Sequence, residues 1–81
     1  MYPTKAKEIR TMKPTEEMIR RLKKDGRYDF PESLTRSESK TAAINLAKAA
    51  TKDDRKNGIT DSQFGIGINA FGYYFAAEIN G

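Results

Sequence analysis

The sequence contains no cysteine, no histidine and no tryptophan. Without cysteine, neither a disulfide nor a thiolate-bound metal can stabilise the fold. Without histidine, the chain lacks the commonest general base and the commonest protein ligand of transition metals. Serine–histidine and cysteine–histidine catalysis are therefore excluded. We expect a protein that is not an enzyme and that takes no metal, no cofactor and no small-molecule substrate.

A hydrophobic run long enough to cross a membrane is also missing. The most apolar stretch, residues 64–79, is 16 residues long and contains Asn69 and Glu78, whereas a membrane-spanning helix needs about 20 mainly apolar residues. The first 15 residues lack the apolar centre of a signal peptide. These features, with the absence of cysteine, predict a cytoplasmic protein. Attachment of the apolar stretch to a membrane surface is the weakest alternative.

Basic residues are absent from the last 25 positions, and all 15 of them lie at or before Lys56. The first 56 residues carry 15 basic and nine acidic side chains, a formal charge of +6, whereas the last 25 carry two acids and five of the eight aromatics. The net charge of +4 suits a protein that attracts polyanions, but it also suits simple solubility. We expect the first part to bind a partner and the second to be buried.

The chain length of 81 residues predicts one domain. A domain of this size buries only about 60% of its unfolded surface, so it is marginally stable alone. Oligomerisation or docking onto a partner is expected to supply the missing stability. Residues 1–13 mix basic and scattered apolar side chains, which is typical either of a basic, partly flexible arm or of a short strand near residues 7–12.

A first helix is predicted over residues 15–24. Thr15 is suited to cap its N-terminus, and the two glutamates that follow favour the positive end of the helix dipole. Gly26 is suited to the left-handed conformation that ends helices. Residues 27–34 are then predicted to form a loop. Three apolar side chains of this loop are expected to pin it to the core: Tyr28, Phe30 and Leu34.

A second helix is predicted over residues 35–56. Thr35 and Glu38 have the spacing of a capping box, in which each side chain accepts a hydrogen bond from the other residue's backbone amide. The run that follows is rich in alanine, the best helix former. The Asn57-Gly58 pair is a typical helix stop.

The last segment fits two structures, of which a helix over residues 61–79 is preferred. Residues 60–63 read as another capping box, and Ile59 and Phe64 are placed as a hydrophobic staple across it. On a helix, one apolar stripe would contain Phe64, Ile68, Phe71, Phe75 and Ile79.

A hairpin over residues 64–79 is the alternative. Gly65, Gly67 and Gly72 would each cost a helix about 1 kcal/mol relative to alanine. Phe64, Ile66 and Ile68 also alternate with small residues, as in a strand. The sequence therefore predicts a mainly α single domain of three helices, with an α+β fold as the alternative. The expected core consists of Met18, Ile19, Leu22, Leu46, Phe64, Ile68, Phe71 and Phe75.

A dense group of cations around the end of the first helix is the main candidate binding site. Such a group can hold phosphates, although a solvated helix face is the structural alternative. Its members are Arg20, Arg21, Lys23, Lys24 and Arg27. Three further cations would join it if the N-terminal arm is ordered: Lys5, Lys7 and Arg10. In the apolar tail, three side chains are candidates for a protein interface: Ile66, Tyr73 and Tyr74.

Residues 5–46 contain three elements in order: a basic strand, a helix that opens Pro-Thr-Glu-Glu, and a second helix that opens Thr-Arg-Ser-Glu with Ala-Ile further on. This order resembles the ribbon-helix-helix DNA-binding family. In that family, strands from two chains form a ribbon that enters the major groove. The resemblance implies a dimeric repressor or plasmid-type antitoxin. It also implies that Arg36 and Ser37, at the start of the second helix, hold a backbone phosphate.

Two functions follow as hypotheses. The first is a small, regulatory nucleic-acid-binding protein. The second is an inhibitor or adaptor of the kind that phages and other mobile elements direct against host machinery, binding a host protein and competing at a nucleic-acid site. In either case the two apolar faces of the last segment predict a homodimer formed through residues 60–79.

Overall fold

The computed structural model of the protein describes residues 14–30 and 33–79. These residues form helix α1 (Glu16–Asp25), strand β1 (Arg27–Asp29), helix α2 (Arg36–Lys56) and strands β2 (Phe64–Ile68) and β3 (Tyr74–Glu78). Neither of the two helices is long and apolar enough to cross a membrane.

The three strands form one antiparallel sheet in the order β1-β3-β2. Ala76 lies at the centre of β3, opposite Tyr28 on one side and Ile66 on the other. Ala76 is fully buried, and the backbone amide of the nearby Tyr74 donates a 3.2 Å hydrogen bond to the Ser39 hydroxyl of α2. This face of the sheet therefore packs on the helices, and the described residues form a two-layer α+β domain.

The core lies between α2 and the helix-facing side of the sheet. Leu22 of α1 and Leu46 of α2 are fully buried, and Phe64 enters from β2. Small side chains along α2 let the helix approach the sheet closely. The buried members of this row are Ser39, Ala42, Ala43, Ala47 and Ala50.

The predicted starts and stops of the first two helices are confirmed. The Thr15 hydroxyl accepts a hydrogen bond from the Met18 amide at 3.2 Å, and Gly26 ends α1 with a φ of 76°. At the start of α2, the Glu38 amide donates to the Thr35 hydroxyl at 3.0 Å, while the Thr35 amide donates to the Glu38 carboxylate at 2.8 Å. Local sequence alone determines both N-terminal caps, since every partner lies within three residues.

The predicted third helix over residues 61–79, and with it the mainly α fold, is wrong. The segment forms the β2–β3 hairpin, which is the alternative that the sequence left open. The reason lies on the outer face of the sheet, where the Phe75 ring covers Gly67 so closely that a Cβ there would lie 2.6 Å from the ring. Gly67 thus makes room for Phe75 of the neighbouring strand, and Gly65 makes room for Ile79 just beyond it. Gly72 takes a φ of 87° in the turn between the two strands.

Three of the eight expected core residues are also wrong, because in the hairpin they do not reach the core. Ile68 lies at the end of β2 with 59% of its surface exposed, and Phe71 lies in the hairpin turn with 70% exposed. Phe75 is half-buried on the outer face of the sheet. Of the remaining predictions, Leu22, Leu46 and Phe64 are buried, and Met18 and Ile19 pack at the edge of the core.

Strand β1 lies inside the segment that was predicted to be a loop. It is only three residues long, and it pairs with β3 so that Arg27 lies opposite Ala77. The Glu78 amide extends this pairing by donating to the Gly26 carbonyl at 2.9 Å. Further along the segment, Phe30 and Leu34 are buried, as expected of residues that pin it to the core.

The capping box of α2 gives a direct test of this fold. We expect Thr35→Ala to lower the free energy of unfolding by about 1 kcal/mol, because it removes the acceptor of the Glu38 amide. Thr60→Ala is the matched control, since Thr60 opens the capping-box sequence of the helix that does not form. Thr60 is exposed in a loop, and its replacement should change stability by less than about 0.5 kcal/mol. Urea denaturation measures both, and an equal loss at Thr60 would contradict the hairpin.

Candidate binding groove

The predicted cation group at the end of α1 is divided by the structure. Arg20, Arg21 and Lys24 are exposed, and none of them forms an ion pair with another described residue. The remaining two members, Lys23 and Arg27, point elsewhere and hold partners within the chain. Three of the five predicted cations are therefore available to a partner, whereas the other two already pair with aspartates of the chain.

Lys23 is the centre of an ion-pair network that joins α1 to the end of α2. Its ammonium contacts the carboxylate of Asp53 and lies 2.7 Å from Oδ1 of Asp54. Asp54 is only 4% exposed, and its other oxygen accepts a hydrogen bond from the Ser62 hydroxyl. The network fixes α1, α2 and the approach to β2, so Lys23 has a structural role.

The charges of Lys23 and Asp54 in this network are each stabilised by their partners. Hydrogen bonds to Asp53 and then to Asp54 raise the pKa of Lys23 above its ordinary value, against the smaller effect of burial. Burial on its own raises the pKa of Asp54, but the hydrogen bonds from Lys23 and Ser62, with the nearby positive charges, together lower it below the ordinary value. The pair is therefore ionised across the neutral pH range.

Arg27 lies on the outer face of the sheet. Its guanidinium donates forked hydrogen bonds of 3.0–3.2 Å to the Asp29 carboxylate, and it lies 3.7 Å from the centroid of the Phe75 ring. An acidic partner and an aromatic face together hold this cation in place.

The start of α2 faces the hairpin turn. The Arg36 guanidinium donates a 3.3 Å hydrogen bond to the Phe71 carbonyl and lies 6.0 Å from the Tyr73 ring centroid. Ser37 is exposed beside it. Arg36 thus connects the helix to the hairpin. The described contacts of Arg36 are with Phe71 and Tyr73 and include no cation of α1.

A groove between α2 and β2 brings together cations that the sequence prediction missed. It has a volume of about 550 Å³, and none of the described residues that line it is acidic. Its lining consists of Ile44, Ala47, Lys48, Thr51, Lys52 and Arg55 from α2 and residues 63–66 from β2. The spacing i, i+4, i+7 of Lys48, Lys52 and Arg55 places them on one helix face, and this spacing was the signal in the sequence.

The cations of the groove differ in whether they already bind other groups of the described chain. Lys48 and Lys52 are exposed, and neither forms an ion pair with any residue in the described part of the chain. Arg55 donates to the carbonyls of Ile59 and Ser62 at 3.0 and 2.7 Å, and thereby orders the loop that leads to β2. The groove therefore has two uncommitted ammonium groups and one fixed guanidinium along an apolar floor.

The predicted interface residues separate into two environments. Ile66 is 38% exposed and lines the groove. Tyr73 and Tyr74 are half-buried near the start of α2, where the Lys40 ammonium lies 5.9 Å from the Tyr74 ring. Only Ile66 of the three belongs to the groove.

The predicted arm cations Lys5, Lys7 and Arg10 lie outside the described residues, as does the strand implied by the ribbon-helix-helix resemblance. Among the residues that are described, no group of three acidic side chains has the geometry of a metal site. No family model, no curated protein and no solved structure matches this chain.

Proposed function

We propose that the protein is a non-catalytic adaptor or inhibitor that captures an acidic segment of another protein in the groove between α2 and β2. The observation that supports this proposal is the composition of the groove, in which Lys48, Lys52 and Arg55 border an apolar floor that includes Ile44 and Ile66. A peptide with both acidic and apolar side chains would satisfy both parts of such a surface.

Nucleic-acid binding is the second candidate, and a different surface favours it. Arg20, Arg21 and Lys24 of α1 are exposed without ion pairs to described residues. Free cations of this kind bind phosphates with an affinity that falls steeply as salt concentration rises. Beside these cations, the cavity at Arg20 also contains the acidic side chains of Glu16 and Asp53, which repel phosphates, so the groove is the stronger basis for a function.

A charge-reversal pair distinguishes the two candidates. We expect Lys48→Glu/Lys52→Glu to weaken binding of the protein partner about tenfold, because two attractive contacts become repulsive. Arg20→Glu/Arg21→Glu changes the net charge equally but leaves the groove intact, and should bind the partner normally. The measurement is a pull-down from nuclease-treated cell lysate with each variant, after circular dichroism has shown that both are folded.

The opposite pattern would contradict the proposed function. If nuclease removes every captured component, and if Arg20→Glu/Arg21→Glu is the variant that loses binding, the partner is nucleic acid. Fluorescence anisotropy with duplex DNA and single-stranded RNA at two salt concentrations would then measure that affinity directly.

A further inference from the structure

The groove has a second property besides its charge, because one of its walls is a sheet edge. In the order β1-β3-β2, strand β2 pairs with β3 on one side, and no other described strand pairs with it. An edge strand presents unpaired amides and carbonyls, which another extended chain can use to add a strand to the sheet. The groove therefore offers backbone hydrogen bonds as well as side-chain contacts.

The hairpin register identifies the backbone groups that face this edge. The Asn69 amide bonds to the Tyr73 carbonyl at 2.8 Å, and the Ile79 amide bonds to the Gln63 carbonyl at 2.6 Å. Hydrogen-bonded and non-bonded pairs alternate in an antiparallel ladder, so Gly65 and Gly67 point their backbone groups toward β3. Phe64, Ile66 and Ile68 point theirs outward, and no described residue bonds to them.

We infer, building on the proposed function, that the partner's acidic segment binds as an extended strand along the free edge of β2. Three outward-facing residues of β2 would exchange backbone hydrogen bonds with it. Side chains of the added strand that face the helices would lie over Ile44 and Ile66, between the ammonium groups of Lys48 and Lys52. The backbone bonds would supply affinity, and the groove would select the sequence.

Charge complementarity favours an acidic partner over the two other chains that could reach this edge. A second copy paired through β2 would bring a second set of Lys48, Lys52 and Arg55 toward the first. Residues 1–13 of the chain contain four basic side chains and one acidic side chain, which also repel the groove. Only an acidic segment gains from the cations as well as from the edge.

The probe that tests this inference is the peptide Glu-Glu-Val-Thr-Val-Glu-Glu. Its sequence is the same in both directions, so a parallel or an antiparallel strand places two valines between two glutamates on the helix-facing side. A version with lysine in place of glutamate tests charge. A version with proline in place of the threonine and of the valine that follows it, Glu-Glu-Val-Pro-Pro-Glu-Glu, keeps the charge. It removes a backbone N–H that would face β2 in either strand direction, because neighbouring residues of a strand point their N–H groups to opposite sides.

Amide hydrogen exchange of the full-length protein, followed by ¹⁵N NMR, is the readout. With saturating acidic peptide we expect exchange at Ile66 and Ile68 to slow by at least about tenfold, while Gly65 and Gly67, already bonded to β3, change little. Lys48→Glu/Lys52→Glu should weaken the peptide about tenfold, and Arg20→Glu/Arg21→Glu should not. The lysine and proline peptides should give no protection.

Each other outcome overturns the inference in a distinct way. Peptide-induced shifts at Lys48 and Lys52 without protection of Ile66 and Ile68 would leave groove binding intact and exclude strand addition. A complete lack of response in the groove would count against the proposed function as well. Slow exchange at these two amides in the free protein would show that the edge is already occupied, by a second copy if it depends on protein concentration and by residues 1–13 if it does not.

Discussion

Leu46→Ala is expected to lower the free energy of unfolding by about 2–5 kcal/mol, one of the two largest effects predicted for this protein. Leu46 is fully buried between α2 and the sheet. Replacing a buried leucine with alanine removes the transfer energy of the lost methyl and methylene groups and leaves a cavity that the surroundings fill only partly. Domains are typically stable by about 5–15 kcal/mol in total, so the variant should lose a large share of its stability.

Ile68→Ala is the control for this measurement. On the predicted C-terminal helix, Ile68 belonged to the core, but in the hairpin 59% of its surface is exposed. Its replacement should therefore cost less than about 1 kcal/mol. Chemical denaturation of both variants decides between the two structures. Comparable losses at positions 46 and 68 would mean that Ile68 is buried as in the helix.

The two helices were predictable because their signals are local. The cap of α1 involves Thr15 and Met18, and the cap of α2 involves Thr35 and Glu38, so each is complete within three residues. The alanines of α2 add strong helix propensity over the whole segment. These local signals locate the two helices along the chain, although their stability also depends on packing against the rest of the domain.

Local signals could not predict the hairpin, because the spacing of its apolar residues fits the 3.6-residue period of a helix as well as the two-residue period of a strand. Phe64, Ile68 and Phe75 fall on one stripe of a helix, yet Phe64 and Ile68 also share one face of a strand. What distinguishes the two is a contact between strands, the Phe75 ring over Gly67. Strand β1 was missed for a related reason, since Arg-Tyr-Asp becomes a strand only through its pairing with β3.

The candidate site was harder to predict than the fold. The sequence does not distinguish the five cations near the end of α1, but Lys23 forms ion pairs with two aspartates 30 and 31 positions later. The groove forms only where α2 packs beside β2, and no pattern in the sequence predicts that packing. Only the spacing of Lys48, Lys52 and Arg55 was visible beforehand, and it shows a helix face without showing what lies beside it.

Lys23→Met is expected to lower the free energy of unfolding by about 3 kcal/mol at pH 7, because it leaves the buried Asp54 carboxylate without its cation. The lysine side chain is 28% exposed, and that of Asp54 only 5%, so the charge of Asp54 is stabilised more by its protein partners than by water. Methionine keeps most of the apolar stem of lysine, and the loss should therefore come mainly from charge. Lys24→Met is the matched control, since Lys24 is exposed, and should cost less than about 0.5 kcal/mol.

The pH dependence of this difference identifies its cause. In the wild-type protein the pKa of Asp54 lies below its ordinary 3.8, so its contribution to stability is present above that value and is lost as the pH falls through the lowered pKa. The pKa of Lys23 lies above its ordinary 10.5, so its contribution is present below that value and is lost as the pH rises through the raised pKa. Both contributions are complete near pH 7.

In Lys23→Met we expect the direction of the pKa shift at Asp54 to reverse. Burial is the largest influence on this carboxyl, and without the lysine we expect its pKa to rise above 3.8. The variant then regains stability as the pH falls through the raised value, while the wild-type protein loses stability at lower pH. Urea denaturation at several pH values between 7 and 3.5 should show the difference between the two proteins shrinking steadily. A constant difference across this range would mean that Lys23 stabilises the protein through packing and not through the charge of Asp54.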